Sequence, residues 1–313
     1  MVIFRRFFLM ILIILICAYP VAAAELIPGG QLVGLRLEDG TVRVAGFDAQ
    51  VGQSAKAAGL QVGDRLVTVA GQQVTSPEAV QQALANCGET LELTVVRDGK
   101  VKTLQLKPTI TADGPRLGIY LRQGISGLGT VTYYTTDGSF GALGHGVVDG
   151  SRPVKFEKGT VCGVQLLSVR KGKVGEPGQL LGALLDTTLG QTVKNAPQGI
   201  FGQLTAPSSE TIETGAAHVG AATIRSTVDD EGVQEYSVEI LKLYPKSKDG
   251  CRNLLLKVTD QQLLEKTGGI VQGMSGSPII QDGKLIGAVT HVLVNDPTTG
   301  YGIFIENMLD AAA

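Results

Sequence analysis

The sequence predicts a mostly β protein made of two folded units behind an N-terminal leader. Val/Ile/Leu-rich runs of strand length recur along the 313 residues, and Gly-Asp or Asp-Gly pairs bound them. The 42 glycines, against 12 prolines, supply the tight turns such a chain needs. The hydrophobic content of 43% suffices for one large core or two smaller ones, so a disordered chain is not expected. With 27 basic and 29 acidic residues and no Lys/Arg-rich run beyond the N-terminus, the chain offers no field for a polyanion, and nucleic acid is not expected as a partner.

Residues 1–24 read as a signal peptide or membrane anchor. Arg5-Arg6 precede the apolar run from Phe7 to Ala24, which closes on Val21-Ala22-Ala23-Ala24 before Glu25, the charged, apolar and small-residue order of a secretory signal. The run also approaches the ~20 residues a helix needs to cross a bilayer, so a retained tether is the alternative. Either way the folded units are exported. Cys17 follows the bulky Ile16, which argues against a lipid-modified cysteine. Cys87, Cys162 and Cys251 are an odd set without C-x-x-C spacing, so neither a disulfide framework nor a zinc site is indicated, and no metal or organic cofactor is expected.

The first folded unit spans residues 25–110. "LVGLRLEDGTVRVAGF" reads as a hairpin turning at Glu38-Asp39-Gly40. "SAKAAGLQVGDRLVTVAGQQV" gives a short helical turn, a Gly-Leu stop and a buried strand between turns. "TSPEAVQQALANC" predicts one amphipathic helix, with Ser76 as N-cap, Pro77 at the first helical position, and Ala79, Val80, Ala83 and Leu84 on one face. Two strands in "TLELTVVRDGKVKTLQLKP" close the unit. This order, and the string "AAGLQVGDRLVTVAGQQV", resemble a PDZ domain of the bacterial protease-associated type. Such domains add a peptide strand to an open sheet edge beside a helix. The resemblance implies a carboxylate cradle at Gln31, Leu32, Val33 and Gly34, a pairing edge from Leu35 to Leu37, and a pocket shaped by Val80 and Leu84. Packing of that edge and helix on a neighbouring segment is the alternative.

The second unit, residues 111–313, carries short strands and many glycines. Runs such as "GTVCGVQLLSV", "GIFGQL", "EYSVEILKLY" and "RNLLLKVTD" have the spacing of an all-β barrel or a pair of barrels. Only "DQQLLEKTG" reads as a helix. The candidate nucleophile is Ser275 in "GMSGSP". A serine hydroxyl needs a base within hydrogen-bond reach and amide donors aimed at the oxyanion it creates. Gly273 lets its own N–H and that of Ser275 point into one hole, and Gly276 keeps the approach of a carbonyl clear. G-x-S-G-x-P leading into "PIIQDGKLIGAV" resembles the nucleophile segment of chymotrypsin-like serine proteases, with Met274 where Asp is usual and Ser277 where Gly is usual. Of the three histidines, His145 in "FGALGHGVVD" suits the base, early in the unit and flanked by glycines. His218 reads as an alternating strand residue. His291, one hairpin after the serine, is a candidate for the edge that pairs with substrate.

Together "LIPGG", the PDZ-like unit, "GLGTVTYY", "FGALGHGV", "GMSGSPIIQDGKLIGAVTHV" and "NDPTTGYGIFIENML" resemble the stage IV sporulation protein B (SpoIVB) peptidases from Leu26 to Leu309. The resemblance implies an N-terminal PDZ domain followed by a chymotrypsin-like double barrel. It implies Ser275 as nucleophile, His145 as base and Asp260 as the acid. Chymotrypsin-like spacing leaves Asp186 open for the acid, and Asp149 is another nearby carboxylate. The family's enzymes work between the two membranes around the forespore. They cleave a membrane-bound regulator of an intramembrane protease, activating a late sigma factor, and they cleave their own N-terminal segment, which points to "ELIPGG" as an accessible linker cut near residues 25 to 50. A non-catalytic PDZ adaptor with a degenerate barrel is the rival, and a quality-control protease is disfavoured because its PDZ units follow the catalytic domain.

Overall fold

A computed structural model describes residues 23–313 except Asn86, Ser151 and Asp249. Residues 1–22 of the leader, Cys17 among them, therefore lie outside the described residues. The chain opens with β1 (Glu25–Pro28) and β2 (Leu32–Phe47). Next come α1 (Gln53–Ala57), β3 (Arg65–Val69), β4 (Gln72–Gln73), α2 (Pro77–Ala85), β5 (Leu91–Arg97) and β6 (Lys100–Leu106). A small hairpin, β7 (Thr109–Thr111) and β8 (Gly114–Arg116), leads into β9 (Ile119–Tyr134). Then follow β10 (Ser139–Ala142), the short β11 (Val148–Asp149) and β12 (Arg152–Pro153), and the long β13 (Lys158–Arg170), β14 (Gln179–Ala196) and β15 (Gly199–Leu204). The last part holds β16 (Ile212–Glu213), β17 (Gly220–Thr227), β18 (Val233–Leu243), β19 (Leu254–Val258), α3 (Gln261–Thr267), β20 (Pro278–Gln281), β21 (Lys284–Leu293), β22 (Asp296–Phe304) and α4 (Ile305–Ala312).

These strands close two barrels, the chymotrypsin-like arrangement the sequence predicts. The first runs β9-β10-β15-β14-β13-β2 and closes through the β2–β9 pair. The second is β17-β18-β19-β22-β21-β20. Alternation of apolar and polar residues fills each interior: Ile224, Tyr236, Val238, Ile240, Leu254 and Leu256 are buried in the second, and Val33, Leu35 and Leu37 in the first.

The PDZ unit is not appended to the first barrel; it is built on the far halves of two barrel strands. β2 is one 16-residue strand rather than the hairpin expected at Glu38-Asp39-Gly40. It pairs with β9 from Leu32↔Thr130 to Leu37↔Ile125 and again from Val42↔Gln123 to Phe47↔Ile119. Residues 38–41 form a bulge between the two runs, held by Asp39 Oδ1, which accepts from the N–H and hydroxyl of Thr41. Gly124 faces the bulge with φ +65, and a Cβ there would meet Leu37 O at 1.9 Å, so only glycine fits. The turn chemistry at Asp-Gly was legible, but the continuous partner strand β9 overrides it. The PDZ core begins at Val42 and includes Leu66, Val80, Leu84, Leu93 and Leu117, with Ile119 and Leu121 packed against it. Inside this unit Asp64, 1% exposed, takes a two-pronged contact from Arg97, 2.6 Å to each oxygen.

Two further expectations change. "ELIPGG" is not an open linker: β1 is paired with β16 and with β9, and Leu26 and Ile27 are buried. α4 was not expected as a helix, because only Ile305, Met308 and Leu309 mark its apolar side and Phe304 at its N-cap offers no side-chain acceptor.

Candidate active site

The segment 271–277 enters β20 with Ser275 at its crest, and both barrels hold it. From the first barrel, Thr130 of β9 donates its hydroxyl to Gly273 O at 2.8 Å and its N–H to Ser275 O at 2.9 Å. Thr132 donates its hydroxyl to Gly276 O at 2.8 Å. From the second, Val289 of β21 accepts from Gly276 N and donates to Ser277 O. Met274, where the chymotrypsin-like pattern has an acid, is fully buried in the second barrel's core.

The peptide planes make a pair of donors. Gln272 O accepts from Leu180 N at 2.9 Å, and in a trans peptide this turns the N–H of Gly273 the opposite way. Met274 O accepts from Ser277 N at 3.0 Å, which does the same for the N–H of Ser275. Neither N–H donates to another backbone group among the described residues. Gly276 serves differently from expectation. With φ +96, a Cβ on it would meet Thr130 O at 2.0 Å and Leu143 N at 2.5 Å, so its lack of a side chain lets the serine loop, β9 and the histidine loop come together.

His145 follows β10 after two left-handed residues, Leu143 (φ +69) and Gly144 (φ +67), which swing it into the same cavity as Ser275. Asn195 pins that loop, bonding the N–H and carbonyl of Val147 and the carbonyl of Val154, each at 2.9 Å. Burial holds the His145 pKa below the ordinary value, with the Gly146 contact opposing, so the imidazole is neutral at pH 7. Its Nδ1 lies 3.0 Å from Gly146 O. A carbonyl only accepts, so the proton sits on Nδ1 and Nε2 keeps a lone pair. Ser275 Oγ donates to Thr290 O at 2.8 Å in this conformation, so the hydroxyl must turn to reach His145.

The cavity, about 780 Å³, opens between the barrels and is largely apolar, with Leu35, Leu128, Val147, Ile270 and Val292 among its walls. His291 lines it too, on β21 opposite Tyr301, its ring 5.2 Å from that of His145. It stands beside the base as well as at the expected substrate edge. No described Asp or Glu lines the cavity. Asp260 is N-cap of α3, its oxygens accepting from Leu263 N at 2.9 Å and Ser237 N at 3.2 Å. It is not assembled with His145, a correction to the acid the resemblance implies. Asp186 and Asp149 are exposed and also stand outside the cavity wall. His218 precedes β17 rather than lying in a strand, exposed, with Nε2 2.7 Å from Asp282.

The PDZ peptide site also lies elsewhere than expected. Gln31, Leu32, Val33, Gly34 and Leu35 present no open edge. β2 is paired with β9 along Leu32–Leu37 and with β13 along Gly34–Glu38, and its apolar residues fill the first barrel. The groove of the PDZ unit, about 590 Å³, runs instead between α2 and the start of β9. Val80 and Leu84 line it as expected, and Leu117 to Leu121 form its other wall. Among the described residues, Ile119–Gln123 pair only with β2, so their second edge borders the groove. The loop before that edge, Arg116-Leu117-Gly118, turns at Gly118 (φ +63), whose carbonyl accepts from Asp48 N at 2.8 Å.

Two six-stranded barrels meeting at this cavity, with a PDZ unit threaded on two of their strands, define a chymotrypsin-like, PDZ-bearing protein. Residues 113–309, well over half of the chain, match the SpoIVB peptidase S55 family, and residues 48–97 match a PDZ domain. The chain belongs to the SpoIVB peptidase S55 family. Two proteins named as candidate zinc metalloproteases, from Brucella suis biovar 1 and Brucella melitensis biotype 1, are each 32% identical to it over 115 residues, 36% of this chain and 30% of theirs. The chain thus spans under a third of those relatives. Among the described residues no group of three His, Cys, Asp or Glu could hold a metal ion. Of solved structures, the active form of the Rv3671c protease from M. tuberculosis has a TM-score of 0.37 at 14% identity, covering 60% of this chain and 73% of that one. Its inactive form has 0.35 at 13%, covering 59% and 82%.

Proposed function

We propose that this protein is an exported serine endopeptidase. The observation that carries the reading is that Ser275 and His145 line one cavity beside two N–H groups left free to bind an oxyanion. Ser275 Oγ leaves Thr290 O and gives its proton to Nε2 of His145 as it attacks the scissile carbonyl. The oxyanion is received by the N–H groups of Gly273 and Ser275. Gly146 O holds the tautomer, the task a carboxylate has in a full triad. His145 then returns the proton to the leaving amine. The apolar walls favour substrates presenting apolar side chains.

In this reading the PDZ groove at α2 and β9 takes a peptide strand and directs or restrains the enzyme. Family membership supports a membrane-bound regulator of an intramembrane protease as the substrate, within sporulation signalling that ends at a late sigma factor. The leader sequence supports export to the space between the forespore membranes, secreted or tethered. Self-cleavage falls before Glu25, a placement that the burial of Leu26 and Ile27 supports.

Labelling with a fluorophosphonate probe tests the core of the proposal. Wild-type protein is expected to label, and Ser275→Ala and His145→Ala to lose labelling to a similar degree, since such residues act as a unit. A non-catalytic PDZ adaptor is the second reading, favoured by the bond that holds the Ser275 hydroxyl on Thr290. Unlabelled, folded wild-type protein would establish it.

A further inference from the structure

We infer that Thr130 is a positioning residue for peptide hydrolysis, a point at which hydrogen bonds fix the nucleophile loop and the histidine loop to the same residue. The inference rests on Ser275 as nucleophile and His145 as base. Thr130 is fully buried on β9 where the barrels meet. All three of its polar groups are engaged, and all three act on the site. The hydroxyl holds Gly273 O at 2.8 Å, the N–H holds Ser275 O at 2.9 Å, and the carbonyl accepts from Leu143 N, two residues before His145, at 3.2 Å.

The hydroxyl contact fixes the peptide plane that lies between the two oxyanion donors. Gly273 (φ +103) has no side chain to restrict the peptide planes on either side of it. The plane that follows it is held by two bonds, Met274 N to Val271 O at 3.1 Å and the shorter one from Thr130 Oγ1. Threonine suits this role because its β-branch restricts χ1, so the hydroxyl is aimed before substrate arrives. Thr132, next on the same face of β9, grips Gly276 O in the same way at 2.8 Å. Thr130 touches no reacting atom. It acts by holding the plane that joins the two donors and by keeping the serine loop in register with His145.

The test compares Thr130→Val, which keeps the shape and loses the hydroxyl, with Thr130→Ser, which keeps the hydroxyl and loses the methyl. The full chain is used, and fluorophosphonate labelling rates and thermal unfolding are both measured. Thr130→Val is expected to label roughly 10²-fold more slowly, the scale of an ångström-sized misplacement in an active site. Thr130→Ser is expected to label at the wild-type rate. Should Thr130→Val fail to fold, Thr130→Ala against Thr130→Ser gives the same comparison. Wild-type labelling by the hydroxyl-free variant overturns the inference, and so does an equal loss in Thr130→Ser, which would assign the effect to packing of the methyl. An unlabelled wild type overturns the serine-nucleophile reading, and the positioning role falls with it.

Discussion

Removal of β1 tests whether the chain's first ordered strand is a dispensable linker or part of the catalytic fold. Leu26 and Ile27 are 2% and 6% exposed. Burying such side chains contributes about 1.5–3 kcal/mol each, so the pair supplies about 3–6 kcal/mol as an upper estimate. The whole stability of a domain is about 5–15 kcal/mol, so losing β1 removes a large fraction of it. At about 2–4 °C per kcal/mol for chains of this size, the unfolding midpoint falls by about 6–24 °C. The assay is thermal unfolding, in the Ser275→Ala background to prevent self-cleavage, of a protein starting at Glu25 and one starting at Gln31. Equal midpoints would refute the reasoning, because the pairing of Ile27 with Tyr134 would then contribute nothing. That result would also reopen "ELIPGG" as a self-cleavage site.

Other perturbations have equally definite outcomes. The His145 pKa is lowered by burial, and the neutral ring is the active form. Labelling should therefore persist as pH falls through the ordinary histidine range, failing only below about 6.5, and an acid limb above that value would contradict the desolvated site. The same shift makes the folded state lose stability as pH drops below the unfolded-state pKa toward the folded one, visible in unfolding midpoints of wild type against His145→Ala. Arg97→Ala leaves the Asp64 carboxylate with only the Gln61 N–H and should lower the denaturant midpoint. Burial raises the Asp64 pKa but the Arg97 contact outweighs it, so the pair's contribution is present above about pH 3.9 and lost below it as Asp64 protonates. Asp260→Ala removes the cap of α3 and should cost about 1 kcal/mol, read as a lower unfolding midpoint. An unchanged midpoint would show the cap to be worth nothing.

Elements whose determinants are local were legible in the sequence. α2 begins where Ser76, Pro77 and Glu78 put it, and the Ser76 hydroxyl accepts from Ala79 N at 3.2 Å. The Asp98-Gly99 pair turns β5 into β6 with both residues at positive φ. Helix α3 ends on Gly268 in the left-handed conformation, as a Lys-Thr-Gly ending suggests. What the sequence concealed was set by distant partners. The bulge in β2 replaces a hairpin because β9, some 80 residues on, pairs with both of its halves, and no window around Glu38-Asp39-Gly40 contains that fact. The PDZ groove was misplaced for a related reason. Its edge strand comes after the rest of the unit, in "RLGIYL", which reads as the opening of the second unit unless the alternation of Ile119 and Leu121 is matched to the core of the first.

The site divides along the same line. The shared placement of Ser275 and His145 was legible because each sits among glycines, the residues that let loops turn tightly and approach one another closely. Asp260 carried two signals at once, a family position and a helix start; the second, local one is what the structure displays. Thr130, Thr132 and Leu180 carried none. Each lies some 90 to 145 residues from the loop it braces, and each looks like an ordinary strand residue in its own segment. Their shared geometry has a consequence for how the two units communicate. β9 borders the PDZ groove at Ile119–Gln123 and grips the nucleophile loop at Thr130 and Thr132, one strand whose pairing with β2 is broken between these points by the bulge opposite Gly124. In the proposed reading, a peptide strand added at the groove pairs with the same strand that grips the Ser275 loop, so groove and nucleophile share a physical element rather than a flexible linker.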